Sequence, residues 1–186
     1  ELWFLKQDHV LLFFQNMPLL SCLRLSNTRM SSEALEQLAD SLPDQIPKLT
    51  ELDLSFTLIG DKALSLWVSK CAGLISLHVR SCEYVRRMRE LLLSLPDSMQ
   101  HLDLRDCHRE FVASHQDGMF FVNKFRGIRS LLWSGPVLFT KDIEEMSASG
   151  EFKVIGANGS QMKRLHFIGS DITDSQMRPL LKSAPQ

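Results

Sequence analysis

The chain has 186 residues, of which 44 % are hydrophobic and 23 % are charged, and its formal net charge is −1. This length and composition are typical of one globular domain with a self-supporting core. The charge excludes the strongly basic surface on which general nucleic-acid binding depends, and no apolar run reaches the roughly 18 residues of a membrane-spanning helix. We therefore expect neither a nucleic acid nor a membrane as a partner.

One short pattern, apolar-x-x-apolar-x-apolar, recurs six times along the chain. It begins at Leu20, Leu49, Leu74, Met99, Ile128 and Met162, so successive copies are 29, 25, 25, 29 and 34 residues apart. The alternating apolar pair in each copy, Leu23 and Leu25 in the first, predicts a short strand with both side chains pointing to a core. The predicted strands are 22–26, 51–55, 76–80, 101–105, 130–134 and 164–168. Periods of this length are typical of repeat proteins.

Helical segments are predicted between the strands. The predicted helices are 2–17, 32–42, 61–70, 87–95, a short helix at 119–125, one near 141–149, and a last one that begins at the capping-box residues Thr173–Gln176. In the second of these, Leu35, Leu38 and Leu42 are spaced by three and four residues, which places them on one helix face. Asp61 is a plausible N-cap for the third. One strand and one helix in each unit would share a continuous core with the next unit.

Two segments interrupt this order. Residues 108–118 are mostly polar and predict a loop at Ala113–Gly118, and residues 150–160 include an Asn-Gly turn in Gly156–Ser160 that predicts a hairpin or an extra edge segment. Insertions in repeat proteins emerge as loops, and loops often carry partner contacts. A loop without any such role is an equally good interpretation of both segments.

Residues 59–82 carry a more specific pattern. An Ile-Gly-Asp turn at 59–61 begins a helix that ends at Cys71, and a strand with the spacing Leu-x-x-Leu-x-Val-x-x-Cys follows at 74–82. This pattern resembles the cysteine-containing leucine-rich repeats of F-box leucine-rich-repeat proteins, which are the substrate receptors of cullin-type ubiquitin ligases. Ribonuclease-inhibitor-like proteins and NLR-type innate immune receptors have similar repeats. The resemblance implies an α/β fold, a right-handed solenoid or horseshoe with a parallel sheet on the concave face and helices on the convex face.

The resemblance also implies a function. It suggests a module that binds a partner protein on the concave face, either as the substrate-recognition part of a ubiquitin ligase or as the ligand-sensing or autoinhibitory region of an NLR-type receptor. Thr28 and Thr57 stand where the cysteine pattern has Cys, which weakens the match in the first two units. We expect a single domain over 1–186 with about six repeats, forming part of a longer chain. Four cysteines without secreted-type spacing favour the cytoplasm, with the nucleus as an alternative.

Motifs for catalysis and cofactor binding are not found. The sequence has no Gly-rich phosphate loop, no Gly-x-Ser-x-Gly elbow and no His-Glu-x-x-His helix, so we expect neither an enzyme nor a cofactor. The best alternative is a zinc or catalytic site formed by Cys82, Cys107, His108 and His115. Buried cysteines that fill the turns after neighbouring strands are the more ordinary interpretation of the first two.

The side chains on the open side of the predicted sheet follow from the alternation along each strand. The central row is Arg24, Asp53, His78, Asp103, Leu132 and His166; the row after it is Ser26, Ser55, Arg80, Arg105, Ser134 and Ile168; the row before it is Cys22, Glu51, Ser76, His101, Ser130 and Arg164. From these rows we predict ten partner-binding residues: Arg24, Asp53, His78, Arg80, His101, Asp103, Arg105, Leu132, His166 and Ile168.

Two features of these rows suggest the chemistry of the partner. Arg80 and Arg105 are expected side by side, and two neighbouring like charges suggest an acidic or phosphorylated segment in the partner. The alternative is that Asp103 and solvent satisfy both arginines. Leu132 and Ile168 make the last strands more apolar, which suggests a hydrophobic anchor at that end.

Overall fold

The computed structural model describes residues 11–12, 16–17, 19–44, 46–107, 128–134 and 164–168, with the backbone alone for 88–89, 133–134 and 164–168. The strands are β1 (Cys22–Arg24), β2 (Glu51–Asp53), β3 (Ser76–His78), β4 (His101–Leu104), β5 (Ser130–Ser134) and β6 (Arg164–Ile168). The helices are α1 (Ser32–Ser41), α2 (Asp61–Lys70) and α3 (Met88–Ser94). In this part of the chain we find no helix that is long and apolar enough to cross a membrane.

All six strands belong to one parallel sheet, and their order in the sheet is their order in the chain. The predicted α/β character and parallel sheet are therefore confirmed. Equivalent residues of the repeated pattern pair across the sheet: Leu23, Leu52, Leu77, Leu102, Leu131 and Leu165 form one continuous row. Each interval between two copies of the pattern is thus the number of residues that carries the chain from one strand to the equivalent position of the next strand.

The first four strands end earlier than the sequence predicts because the backbone turns. Asn27, Phe56, Ser81 and Asp106 have φ angles of 59°, 57°, 55° and 57°, which lie in the left-handed region. These four residues occupy equivalent positions in four successive units. Interstrand bonding nevertheless continues through the turn, since the N–H of Asn27 donates to the carbonyl of Ser55 at 2.9 Å and the N–H of Phe56 donates to that of Arg80 at 2.8 Å.

The core lies between the sheet and a layer of helices. Helix α1 packs against α2, and α2 packs against α3. Leu35 of α1, Trp67 of α2, Leu52 of β2 and Leu77 of β3 are all fully buried in one apolar cluster. Burial of each such side chain contributes about 1.5–3 kcal/mol relative to exposure. The Trp67 indole N–H also donates to the Leu35 carbonyl at 3.1 Å, which joins the two helices.

The helix ends show one error in the sequence-based expectations. Ser31 caps α1, because its Oγ accepts the N–H of Ala34 at 3.2 Å. Asp61 does not cap α2. The N-cap there is Gly60, which has no side chain that could accept a bond from the helix. Instead Asp61 Oδ1 accepts the N–H groups of Arg86 and Arg87, at 2.8 and 2.7 Å. The carboxylate lies beside the next unit and satisfies two main-chain donors of the segment that leads into α3.

The other helix boundaries differ from the predicted ones by at most one residue at each end. Helix α1 ends at Ser41 instead of Leu42, α2 has its predicted bounds, and α3 covers 88–94 instead of 87–95. The predicted helices at 2–17, at 119–125, near 141–149 and after Thr173 lie outside the described residues, apart from 11–12 and 16–17 of the first. The two predicted loops at Ala113–Gly118 and Gly156–Ser160 also lie outside them.

Lys70, the last residue of α2, was not singled out by its sequence context. Its side chain is almost fully buried, and Nζ donates to the carbonyls of Leu42 at 2.8 Å and Asp40 at 3.5 Å. These carbonyls lie at the C-terminal end of α1, where the helix leaves acceptors without intrahelical partners and carries partial negative charge. A buried ammonium group from one unit therefore completes the helix end of the unit before it.

Candidate interaction surface on the sheet

The two sides of the sheet differ in chemistry. A parallel sheet that is covered on both sides has strands of nearly continuous apolar sequence. Here apolar residues alternate with polar ones, and the polar residues include Arg24, Asp53 and His78. Arg24 is exposed, whereas Asp53 and His78 are half-buried between neighbouring strands. The polar side of the sheet is therefore accessible to solvent at its first strand and partly accessible further along.

The central predicted row exists as one row across the sheet. The register pairs Arg24 with Asp53, Asp53 with His78, His78 with Asp103, Asp103 with Leu132, and Leu132 with His166. The row before it is equally continuous from Cys22 to Arg164, and it includes half-buried His101. His166 and Ile168 are placed by the backbone of β6, and Leu132 is half-buried.

Asp103 departs from the expected exposure, since only 5 % of its surface is accessible. Arg105 covers it with two hydrogen bonds, from Nε to Oδ1 at 2.8 Å and from Nη2 to Oδ2 at 2.6 Å. Burial acts to raise the pKa of Asp103, but the hydrogen bonds from Arg105 and His78 outweigh it and hold the pKa well below its usual range. Asp103 is thus a buried carboxylate that holds the side chains of Arg105 and His78 in place on the polar side.

Arg80 and Arg105 each have an acidic partner within the chain, which favours the alternative in which the chain itself answers both charges. Arg105 is held by Asp103, which precedes it by two residues, and the Arg105 side chain is only 22 % exposed. Arg80 donates from Nε to Asp106 Oδ2 at 3.2 Å, and its guanidinium carbon lies 5.4 Å from the centre of the Phe56 ring. Asp103 and Arg105 are two residues apart, so their side chains lie on the same side of the sheet and Arg105 is within reach of Asp103.

Ser55, in the row that begins at Ser26, is also buried, although it was expected on the accessible side. Its exposed fraction is 6 %, and its Oγ accepts the N–H of Arg80 at 3.2 Å. The hydroxyl therefore joins the end of one strand to the next and is not available to a partner.

Charged side chains on β1 to β3 are at least partly accessible. Arg24 pairs with Glu51, with Nη2 to Oε1 at 2.7 Å. Asp53 Oδ1 accepts the N–H of Ser55 at 2.9 Å, which fixes the carboxylate. Ser76 Oγ lies 2.9 Å from His78 Nε2. A hydrogen bond to Asp103 raises the pKa of His78, and the nearby charge of Asp53 acts in the same direction.

The cysteines after β3 and β4 are structural in this geometry. Cys82 Sγ donates to the carbonyl of Leu54 at 3.2 Å, and Cys107 Sγ donates to that of Val79 at 3.0 Å. Each thiol therefore bonds to the backbone just after the neighbouring strand of the sheet, which is β2 for Cys82 and β3 for Cys107. Burial raises the pKa of Cys107 to about 12 and also raises that of Cys82, which opposes formation of a nucleophilic thiolate.

The metal alternative gains no support from this region. Among the described residues, no three His, Cys, Asp or Glu side chains converge as metal ligands would. His108 and His115, the other two members of the proposed set, lie outside the described residues.

One residue of interest was missed by the sequence-based expectations. Phe56 lies under Arg80 at the end of β2, with 51 % of its surface exposed. The equivalent residues of the other units are Asn27, Ser81 and Asp106, all polar. An apolar residue in an otherwise polar column is a signal that superposition of the repeat units would have revealed.

Models of known protein families give no match to the chain, and no curated protein matches it. Its function must therefore be inferred from the geometry of the sheet and its side chains.

Proposed function

We propose that the chain is a leucine-rich-repeat solenoid that binds a partner protein on the polar side of its parallel sheet. The repeat class is supported by the strand order, by the four left-handed residues at equivalent positions, and by the thiols that bond successive units. The observation that carries the function is the row Arg24, Asp53 and His78, which is held in register on three neighbouring strands.

This row has the properties of a protein-binding surface. Its side chains stand on sheet strands and are fixed by hydrogen bonds to Glu51, to the N–H of Ser55 and to Ser76. Groups held in advance in one arrangement lose little conformational freedom on binding, so they favour a specific partner. A row of charges along a sheet matches an extended complementary surface, whereas small molecules usually bind in enclosed and mainly apolar pockets.

The narrower proposal is substrate recognition for a cullin-type ubiquitin ligase. It rests on the cysteine-containing pattern of 59–82, in which Cys71 and Cys82 are both buried. All four cysteines are free thiols, which favours a reducing compartment such as the cytoplasm or nucleus. The alternative role is the ligand-sensing or autoinhibitory region of an NLR-type receptor. An F-box in the same protein would favour the ligase role, and a nucleotide-binding P-loop domain would favour the sensor.

The proposal is tested by comparing the partners of three forms of the chain in a pull-down from cell lysate, read by mass spectrometry. The test variant is Arg24→Gln/Asp53→Asn, in which Asn retains an acceptor for the N–H of Ser55. The control is Lys62→Gln on helix α2, where the lysine side chain is 83 % exposed and pairs with Glu36.

We expect partners that are captured by the wild type and by the control but are lost from the test variant. Partner lists that are identical for all three forms would contradict binding on the polar side of the sheet. Arg105→Glu is unsuitable as a test, because it would leave Asp103 buried opposite a second negative charge.

A further inference from the structure

Two connecting segments run side by side at the edge of the sheet where the strands end. They are 56–61, which leads from β2 to α2, and 80–87, which leads from β3 to α3. Three contacts join them: the N–H of Phe56 donates to the Arg80 carbonyl at 2.8 Å, Thr57 Oγ1 lies 3.9 Å from Cys82 Sγ, and Asp61 accepts from Arg86 and Arg87. The pair therefore forms one continuous surface.

This surface carries three large apolar side chains that are about half exposed. Phe56 is 51 % exposed, Leu58 is 48 % exposed and Tyr84 is 51 % exposed. Residues 57 and 59, which alternate with Phe56 and Leu58, are buried. Packing therefore accounts for the inward residues of this segment, and the outward apolar residues have no such explanation within the described part of the chain.

Phe56 is also conformationally unfavourable where it stands. Its φ angle is 57°, and a bulky residue in the left-handed region costs free energy that Asn or Gly largely avoids. Such outliers occur mainly at binding and catalytic sites, where the side chain is needed despite the cost. The equivalent positions Asn27, Ser81 and Asp106 show that the turn itself does not require an aromatic residue.

Arg80 adds a directed charge to this apolar surface. Its guanidinium lies over the Phe56 ring, and only Nε is bonded to Asp106, so within the described residues the two terminal nitrogens have no acceptor. The Arg80 side chain is 40 % exposed. A guanidinium fixed on one side by a carboxylate and below by a ring presents a planar pair of donors that matches a second carboxylate.

We propose that this edge, formed by Phe56, Leu58, Arg80 and Tyr84, is a docking surface for a short segment of a partner protein in which an apolar side chain stands beside an Asp or Glu. The carboxylate of that segment bonds to the terminal nitrogens of Arg80, and the apolar side chain covers Phe56 and Leu58. The edge is separate from the row Arg24, Asp53 and His78, so the inference does not depend on the function proposed for the polar side of the sheet.

The test uses a phage-displayed library of short random peptides, selected on the wild-type chain. The peptides that are enriched are then synthesised with a fluorescent label, and their Kd values are measured by anisotropy on four proteins. These are the wild type, Arg80→Gln, Phe56→Asn and Arg24→Gln, which removes an exposed arginine from the polar side of the sheet and so detects peptides that bind there instead of at the edge.

We expect the enriched peptides to share an acidic residue next to an aromatic or aliphatic one. We expect Arg80→Gln and Phe56→Asn each to weaken binding by about tenfold, as for central residues of an interface, and Arg24→Gln to leave the Kd unchanged. Failure to enrich any peptide, peptides without an acidic residue, or equal binding by Arg80→Gln would each overturn the proposal. Loss of binding in Arg24→Gln alone would place the peptides on the polar side of the sheet, which would overturn the edge while supporting the function proposed above.

A thermal unfolding measurement separates binding from folding. Because Asn adopts the left-handed conformation more readily than Phe, Phe56→Asn is expected to leave Tm unchanged or to raise it. A large fall in Tm would show that the ring serves to support Arg80 within the fold, and that result would overturn its assignment to binding.

Discussion

The two sides of the sheet impose different constraints on the sequence. On the packed side Leu52, Leu54, Leu77 and Val79 have no exposed surface, so size and apolarity decide which residues fit. On the polar side the neighbouring residue Asp53 is half-buried and Arg24 is exposed. Packing does not require a charge at either position. The packed side therefore reports how the chain folds, and the polar side is the surface on which the proposed function rests.

The largest effect that separates the two sides is expected for Leu77→Ala. Removal of this fully buried side chain from the central part of the sheet leaves a cavity and should lower the free energy of unfolding by about 3 kcal/mol. The adjacent variant Ser76→Ala, on the polar side, should lower it by less than about 1 kcal/mol. Urea unfolding measures both values, and similar losses for the two variants would break the distinction between the sides.

Asp103 sharpens the comparison, because it lies on the polar side but is buried like a core residue. Asp103→Asn removes the charge that answers Arg105 and weakens the bond to His78, so a loss of about 2 kcal/mol is expected. Asp53→Asn, which keeps its acceptor for the Ser55 N–H, is the matched control and should cost much less. Equal stability of the two variants in urea unfolding would show that the Asp103–Arg105 pair contributes nothing to the fold.

The cysteines provide a smaller contrast between a packed position and an accessible one. Cys82→Ala removes the thiol that donates to the Leu54 carbonyl and should cost about 1 kcal/mol. Cys22→Ala, at the exposed start of β1, should leave the midpoint of unfolding unchanged. An equal effect of the two substitutions would show that the Cys82 thiol does not help to hold successive units together.

The smallest effect is the pH dependence that His78 contributes. The hydrogen bond to Asp103 raises its folded pKa above the ordinary value of 6.5, with Asp53 and Glu51 acting in the same direction. The folded state therefore binds the proton more tightly than the unfolded state, and the resulting stability is present below 6.5 and is lost as the pH rises through the folded pKa. Wild type should lose stability relative to His78→Gln as the pH rises above 6.5 and through the folded pKa. Parallel pH profiles for the two proteins would contradict this coupling.

The rows and their register could be predicted from the sequence because they depend on simple periods. Alternation along a strand places Arg24 beside Leu23 but on the opposite side, and the interval of 25 residues from Leu52 to Leu77 aligns equivalent residues of two units. Both properties are local or repeated, so no knowledge of distances between units is required.

Contacts between units could not be predicted in the same way. Asp61 follows a turn and precedes a helix, which is the usual sequence context of an N-cap, yet it bonds to Arg86 and Arg87 in the next unit. Lys70 resembles an ordinary helix-surface lysine until its distance to the Leu42 carbonyl is known. For Arg80 the sequence did not show the bond from Nε to Asp106 of the next unit, and for Arg105 it did not show the buried Asp103 to which Nε and Nη2 donate.

The central claim is that the polar side of the sheet is the surface that meets a partner protein. The most direct test is photo-cross-linking in cells from a benzoylphenylalanine placed at position 76, the first residue of β3 on the polar side, with position 62 on helix α2 as the control. We predict a discrete cross-linked protein from position 76 that is not formed from position 62. A cross-link that forms from position 62 alone, or equally from both positions, would contradict the claim.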